Sequence, residues 1–354
     1  LMQHFATPTS VGVAPTLVTM ALLYLVAMLL GAFGYRVPPT GWAPAGWSAP
    51  PATASKLKTT RHVNVDRVLG IPQFWLLWAV LCLNVSAGIG VLGMASPMLQ
   101  EVFGGRLLGA DGALSQLATD QRAQVATIGA AFAGLLSLFN IFGRIFWASF
   151  SDAIGRKTTY FVFFVLGIAL YASAPWAGGA GQVGLFVAFF CVILTMYGGG
   201  FSTIPAYLAD LFGTQHVGAI HGRLLTAWSV AGVLGPVVVN YIRQYQLDRG
   251  LPADQAYSMT MYILAGFLLL GFICNLLVKP VAEGHFMSDA ELAAERAKAH
   301  EAAAANAAGA AQPVTGEVAG GNLKVVLAWL AVGVPLAWGV WTTLTKALPL
   351  FRIG

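Results

Sequence analysis

The sequence predicts an all-α membrane protein built from several spanning helices, and three observations lead there. Hydrophobic residues make up 57% of the 354 residues and charged residues only 9%. The mean hydropathy is +0.73. The apolar residues also gather into stretches near the ~20 residues that cross ~30 Å of hydrocarbon. A soluble chain carries roughly a quarter charged residues, and surface-to-volume scaling would leave much of this apolar mass wet. The stretches are apolar on every side and long, unlike the short alternating segments of a β-barrel.

Taken in order, the predicted spans are about 15–36, 74–98, 124–150, 158–176, 183–211, 217–243 and 257–279, with an eighth at about 323–348. Gly198-Gly199-Gly200, Pro205 and Pro236 fall inside spans, where neighbouring helices re-satisfy freed backbone groups. Residues 37–60, with Pro38, Pro39, Trp42, Pro44, Trp47, Pro50 and Pro51, read as an extended Pro-rich linker. Ser288 and Glu291 form a capping-box pattern ahead of an Ala/Glu/Lys-rich run to about 310, a solvated helix without an apolar stripe. Gln312–Gly321 reads as a flexible tether, which makes the last span an appendage. The organisation predicted is a transmembrane helix in 1–36, a linker in 37–73 and a six-helix unit in 74–279. An Ala-rich helix with a flexible linker comes next in 280–322, and an appended span in 323–354.

Orientation follows Lys and Arg, which favour the cytoplasmic side. Arg36, Lys56, Lys58, Arg61 and Arg67 lie after the first span, and Arg156 and Lys157 after the third. Acids and bases balance in the 99–123 and 244–256 connections. The pattern predicts that 37–73, 151–157, 212–216 and 280–322 are cytoplasmic. Cys82, Cys191 and Cys274 fall in spans without metal or disulfide spacing and read as small buried residues. His216 and His221 read as surface groups near a cytoplasmic loop. No phosphate-cradling glycine loop, zinc spacing or nucleophile triad is present, so no cofactor, metal or enzymatic activity is predicted. The net charge of +5 follows from topology and calls for no nucleic acid.

The chemistry concentrates in a few places. In the turn after the third span, Asp152 is expected to cap a helix end, Gly155 permits a tight turn, and Arg156 and Lys157 face the cytoplasm. A carboxylate beside two cations can act as a breakable charge relay; it also fits an ordinary basic turn. Arg144 lies eight positions before Asp152, about 12 Å in from the helix end at 1.5 Å per residue. A cation at that depth is costly unless it faces a cavity or a partner, and a guanidinium fork suits a carboxylate. Snorkelling to the cytoplasmic interface, or pairing with the loop of Asp152, is the other reading of Arg144. Asn140 is one turn away. Gly232, Gly235 and Pro236 make a small-residue face for close helix packing, with a proline that can kink the helix.

The stretch Gly143–Lys157 resembles the loop signature of the major facilitator superfamily in its second-half copy. Asp152, Gly155, Arg156 and Lys157 match, while Ala148 and Thr159 depart from a glycine and a basic residue. Tyr197–Gly213, Gly222–Trp228, Phe139–Arg144 and Gly34–Pro39 resemble the oxalate/formate antiporter branch, and Leu327–Pro335 resembles a small segment fused to some members. The resemblance implies the second six-helix half plus flanking helices: helices six to twelve and the extra span. Helices one to five, the missing N-terminal half, would belong to a longer transporter, as a start at Leu1 also suggests. It further implies gating by Asp152, Gly155, Arg156 and Lys157, and carboxylate binding by Arg144 with Asn140, in a cavity shaped by Tyr197 and Trp228. Gly235-Pro236 echoes a motif of exchangers in this superfamily.

Where oxalate-type members have a lysine, this chain has Trp228, so one of two cations expected for a dicarboxylate is absent. A monocarboxylate packed on Trp228 fits better, although Trp228 also fits a packing or lipid-facing role. Acids are nearly absent from the spans, which favours anion exchange over proton-coupled symport. A channel or a structural subunit are the other classes, but no ring of charge or carbonyl filter is visible. The prediction is a multi-pass carrier of small organic anions in a bilayer, of the bacterial inner membrane type.

Overall fold

In the computed structural model, residues 4–7, 10–34, 59–110, 112–309 and 322–351 are described. The helices are α1 (Val13–Gly34), α2 (Pro72–Phe103), α3 (Thr119–Ile154), α4 (Arg156–Gly179), α5 (Val183–Phe212), α6 (Val217–Leu224), α7 (Thr226–Asp248), α8 (Ser258–Leu277), α9 (Asp289–Gly309) and α10 (Asn322–Ala347). Among the described residues, seven segments are long and apolar enough to cross a membrane: α1, α2, α3, α4, α5, α6 with α7, and α8. The predicted all-α membrane architecture is what the chain adopts. The Pro-rich residues 37–58 and the tether 310–321 lie outside the described residues.

α1 forms a unit of its own, and the rest a second unit in which α2 to α8 pack as a bundle. α5 and α2 are its most buried spans. The largest fully buried side chains include Tyr160, Tyr171, Tyr207, Phe132, Phe163 and Phe190. A phenol in such a place needs a partner for its O–H. Tyr160 donates to the Gly200 carbonyl at 2.6 Å, Tyr171 to the Ala87 carbonyl at 2.8 Å and Tyr207 to Asn275 Oδ1 at 3.3 Å. Asn275 in turn donates to the Lys157 carbonyl at 3.0 Å. These bonds join α4, α5, α2 and α8 without charge.

The predicted 217–243 span is one membrane-length segment, Val217–Asp248, with a single turn residue, Leu225, between α6 and α7. Two departures from the sequence reading concern organisation. The end of the linker is no free chain: Val63 is fully buried, and the Val63 N–H donates to the Phe212 carbonyl at 2.9 Å. Asn64 caps a 3-10 turn over Val65–Gly70. The appended α10 packs against α3, with Thr343 beside Gly134 and Leu350 buried beyond its end. Its earlier residues Leu327, Trp329 and Leu330 stay exposed, and α10, the predicted eighth span, is not among the seven membrane-length apolar segments of the described residues. The capping box at α9 forms as predicted, with the Ser288 N–H on Glu291 Oε2 at 2.9 Å and the Glu291 N–H on Ser288 Oγ at 3.3 Å.

Candidate functional site

The site is built on the seam between α3 and α5, and glycine decides how close these helices come. A Cβ on Gly143 would lie 2.1 Å from the Thr195 carbonyl oxygen, and one on Gly198 2.1 Å from the Asn140 carbonyl oxygen. Any side chain at either position would force the backbones apart. With both glycines, α3 sets Asn140 and Arg144 directly beside the turn of α5 that carries Tyr197 and Phe201. Trp147 locks the same seam, its indole N–H donating to Thr195 Oγ1 at 3.1 Å.

Arg144 lies ten residues before the end of α3 at Ile154, about 15 Å along the axis and deeper than the predicted span implied. Its Nε donates to Asn140 Oδ1 at 3.3 Å, and its guanidinium carbon sits 5.0 Å from the centre of the Phe201 ring. It forms no ion pair with any described carboxylate. The side chain is exposed, whereas Asn140 is buried. Trp228 from α7 meets Phe201 edge-on at 5.0 Å and Tyr197 at 5.8 Å. The four predicted substrate residues, Arg144, Asn140, Tyr197 and Trp228, therefore lie in one cluster, with Asn140 and Tyr197 buried within it. Phe201, which joins the cation to the aromatic pair, was missed; its spacing of four from Tyr197 on a helix was the available signal.

The predicted gate residues divide. Gly155 has φ 85° between α3 and α4, as a tight turn requires. Asp152 does not cap α3; it lies in the last turn and accepts from Arg156. The Arg156 side chain is only 11% exposed rather than facing solvent, donates also to Ser151 Oγ, and lies 3.9 Å from Asp210 of α5. Asp210 is thus a member of the cluster that sequence reading left out. Lys157 turns away from it and donates to the Leu276 and Val278 carbonyls at 3.0 and 2.6 Å, capping the end of α8. A cation there also meets the negative end of the helix dipole.

Of the predicted packing residues, Gly235 is in backbone contact with α2: an added Cβ would lie 2.5 Å from the Ser86 carbonyl oxygen. Gly232 is not, because a Cβ there would meet nothing within 4 Å. Three residues turn a helix by about 300°, so Gly232 stands about 60° round α7 from Gly235 and misses the seam. Pro236 sits inside α7 and leaves the Gly232 carbonyl without its usual helical donor.

Charges cluster at both ends of the bundle. At the end holding the 151–157 turn, Arg223 donates to the Val65 carbonyl and to Asp66 Oδ1, the latter at 3.0 Å, and Arg67 pairs with Glu291 at 2.7 Å. The Ser288 backbone N–H and the Arg67 guanidinium hold the Glu291 carboxyl below its usual range. His62 Nδ1 accepts from the Gln215 N–H at 3.3 Å, and burial, with Arg296 and His216 nearby, pushes its imidazole below the usual value. His216 and His221 are not surface decoration: His216 Nε2 and His221 Nδ1 are buried without a hydrogen-bond partner among the described residues. At the opposite end, Arg243 grips Glu101 with two nitrogens, Nε to Oε2 at 2.9 Å, and the Tyr257 hydroxyl donates to the same oxygen at 2.9 Å. Glu101, read from sequence as part of a connection, lies within α2. A hollow of about 950 Å³ adjoins it, lined also by Arg106, Arg122 and Asp254.

The Major Facilitator Superfamily model matches residues 5–236 and 109–354. The oxalate:formate antiporter of Oxalobacter formigenes is 30% identical over 178 residues, which are 50% of this chain and 37% of the antiporter. Apicoplast pyruvate carrier 1 of Toxoplasma gondii is 29% identical over 165 residues, 45% of this chain and 26% of the carrier. Apicoplast pyruvate carrier 2 of the same organism is 29% identical over 113 residues, 32% of this chain and 17% of the carrier. The matched part spans well under half the length of each relative.

Proposed function

Because the chain belongs to the Major Facilitator Superfamily, we propose that it forms one wall of a carrier that moves small monocarboxylates across a membrane by exchange. The observation that carries this reading is Arg144: a cation deep in a span, oriented by Asn140, backed by Phe201 and without an acidic partner among the described residues. Its fork offers two parallel donors to one carboxylate. Asn140 fixes the Nε edge of the guanidinium, so the two terminal nitrogens remain for the substrate. Phe201, Trp228 and Tyr197 then offer an apolar surface to the rest of a small acid. A dianion would leave one charge uncompensated in a low-dielectric site. The named activities of the relatives, oxalate:formate exchange and pyruvate carriage, support small organic anions as the class.

In this proposal α2 to α8 act as one rigid half that rocks against a second half of the carrier, and access alternates as the halves rock. The end with Arg156 and Lys157 is cytoplasmic. The Asp152–Arg156–Asp210 cluster joins α3, α4 and α5 there and steadies one access state.

The test is uptake of labelled pyruvate and oxalate into proteoliposomes holding the intact carrier, with and without internal anion. Exchange predicts uptake only with internal anion, pyruvate preferred. Arg144→Ala is expected to lower uptake at least a hundredfold while membrane insertion is kept, the loss expected when a bidentate charged contact of ~3 kcal/mol is removed. Uptake that survives in that variant sinks the substrate-site reading. Uptake that follows a proton gradient without internal anion replaces exchange by proton-coupled symport.

A further inference from the structure

The break at Leu225 lies three residues before Trp228, and it is held from outside. The Thr226 hydroxyl donates to the Arg223 carbonyl at 2.8 Å across the break and accepts the indole N–H of Trp78, on α2, at 2.9 Å. The Trp228 N–H donates to the Leu225 carbonyl at 2.9 Å, a tightened three-residue bond, and the regular ladder of α7 starts one residue later with Ser229 on the same carbonyl at 3.3 Å. Arg223, just before the break, is gripped by the Val65 carbonyl and Asp66. The Trp78 ring stands 6.2 Å from that of Trp75, whose own indole donates to the Leu69 carbonyl at 2.9 Å. At a helical discontinuity a small change in backbone angle swings the downstream helix. Here the first turn of that helix carries the tryptophan that meets Phe201 and Tyr197.

We infer that Trp78 is a positioning residue for Trp228. Through Thr226, its indole N–H fixes the angle at which α7 leaves the break, and hence how the Trp228 ring stands against the aromatic surface. This inference rests on the reading of Trp228 as a wall of the substrate site. Among the described residues Trp78 has no hydrogen bond or ring contact with Arg144 or Asn140, so its effect would be felt in substrate fit and not in holding charge. Thr226 is the relay because its single hydroxyl is both donor and acceptor, and valine of similar shape supplies neither function.

The experiment measures pyruvate exchange by the intact carrier with Trp78→Phe, Thr226→Val, Thr226→Ser, the Trp78→Phe/Thr226→Val double variant and Trp228→Ala. Trp78→Phe and Thr226→Val are each expected to raise KM about three- to tenfold with kcat little changed, the scale of one lost neutral hydrogen bond. Thr226→Ser keeps the hydroxyl and should behave as the parent. The double variant should match either single one, since both remove the same bond. Additive effects, or a fall in kcat at unchanged KM, overturn the inference. If Trp228→Ala shifts KM while Trp78→Phe and Thr226→Val do not, positioning fails and the aromatic wall stands. If Trp228→Ala leaves KM unchanged, the wall reading fails, and the inference with it.

Discussion

The two ends of the helical bundle solve the same problem, holding helix termini together, in different ways. At the end with the 151–157 turn the work is spread out. Lys157 caps α8, Arg223 holds the turn at 65–66, Arg67 pairs with Glu291, and His62 joins the linker to residue 215. Many acceptors are main-chain carbonyls. At the opposite end one cluster, Glu101–Arg243–Tyr257, ties α2 to α7 and to the residue that precedes α8, beside a hollow of about 950 Å³. A distributed set tolerates the loss of any one bond. A single cluster does not, since removing either charged member leaves the other charged and largely buried.

That difference sets the order of the expected effects. Arg243→Met should be the most damaging, because it strands Glu101, whose side chain is only 15% exposed. A cost of about 2–4 kcal/mol is expected, read as a loss of thermal stability in detergent. Lys157→Met removes the cap of α8 and should cost about 0.5–1.5 kcal/mol by the same measurement. An equal loss in the two variants would break the contrast between concentrated and distributed ends.

The smallest effect should be a pH trend at His62. Its imidazole titrates lower in the folded chain than its usual value of about 6.5. Its contribution to stability is therefore complete above that usual value and is lost as pH falls through the lower folded-state value. Protonation also removes the acceptor of the Gln215 N–H and sets a new charge near Arg296 and His216. Hydrogen exchange at the Val63 amide, corrected for intrinsic rates, should lose protection on acidification. His62→Asn should flatten that trend, and a trend that persists in it would assign the pH dependence to another group.

The helices were legible in the sequence because hydropathy reports a residue's environment, and in a membrane that environment is fixed along the chain. The ends of α2, α3, α4 and α7 run beyond the predicted spans, since polar terminal residues such as Glu101 and Asp152 find partners and continue the helix, whereas α8 stops short of its predicted ends. Arg144 could be singled out because depth within a membrane span alone makes a cation expensive. The partner of a charge is a different matter. Glu101 and Arg243 are 142 residues apart, and only the rotation of α2 against α7 brings them together. The same rotation selects Gly235 over Gly232 for the seam. Asp210 and Phe201 went unnoticed for a similar reason, since each matters through a residue on another helix.

The α3–α5 seam has a consequence for how such a carrier can change over generations. Gly143 and Gly198 pin the charged headgroup receptor at the level of the backbone, whereas Trp228 arrives on a separate helix through its own break. On the proposed reading, grip and choice are therefore inherited separately. Drift at position 228 and its neighbours can explore new acids while the hold on a carboxylate is conserved. The glycines, by contrast, are closed to drift, since any replacement would cost the site its geometry at once.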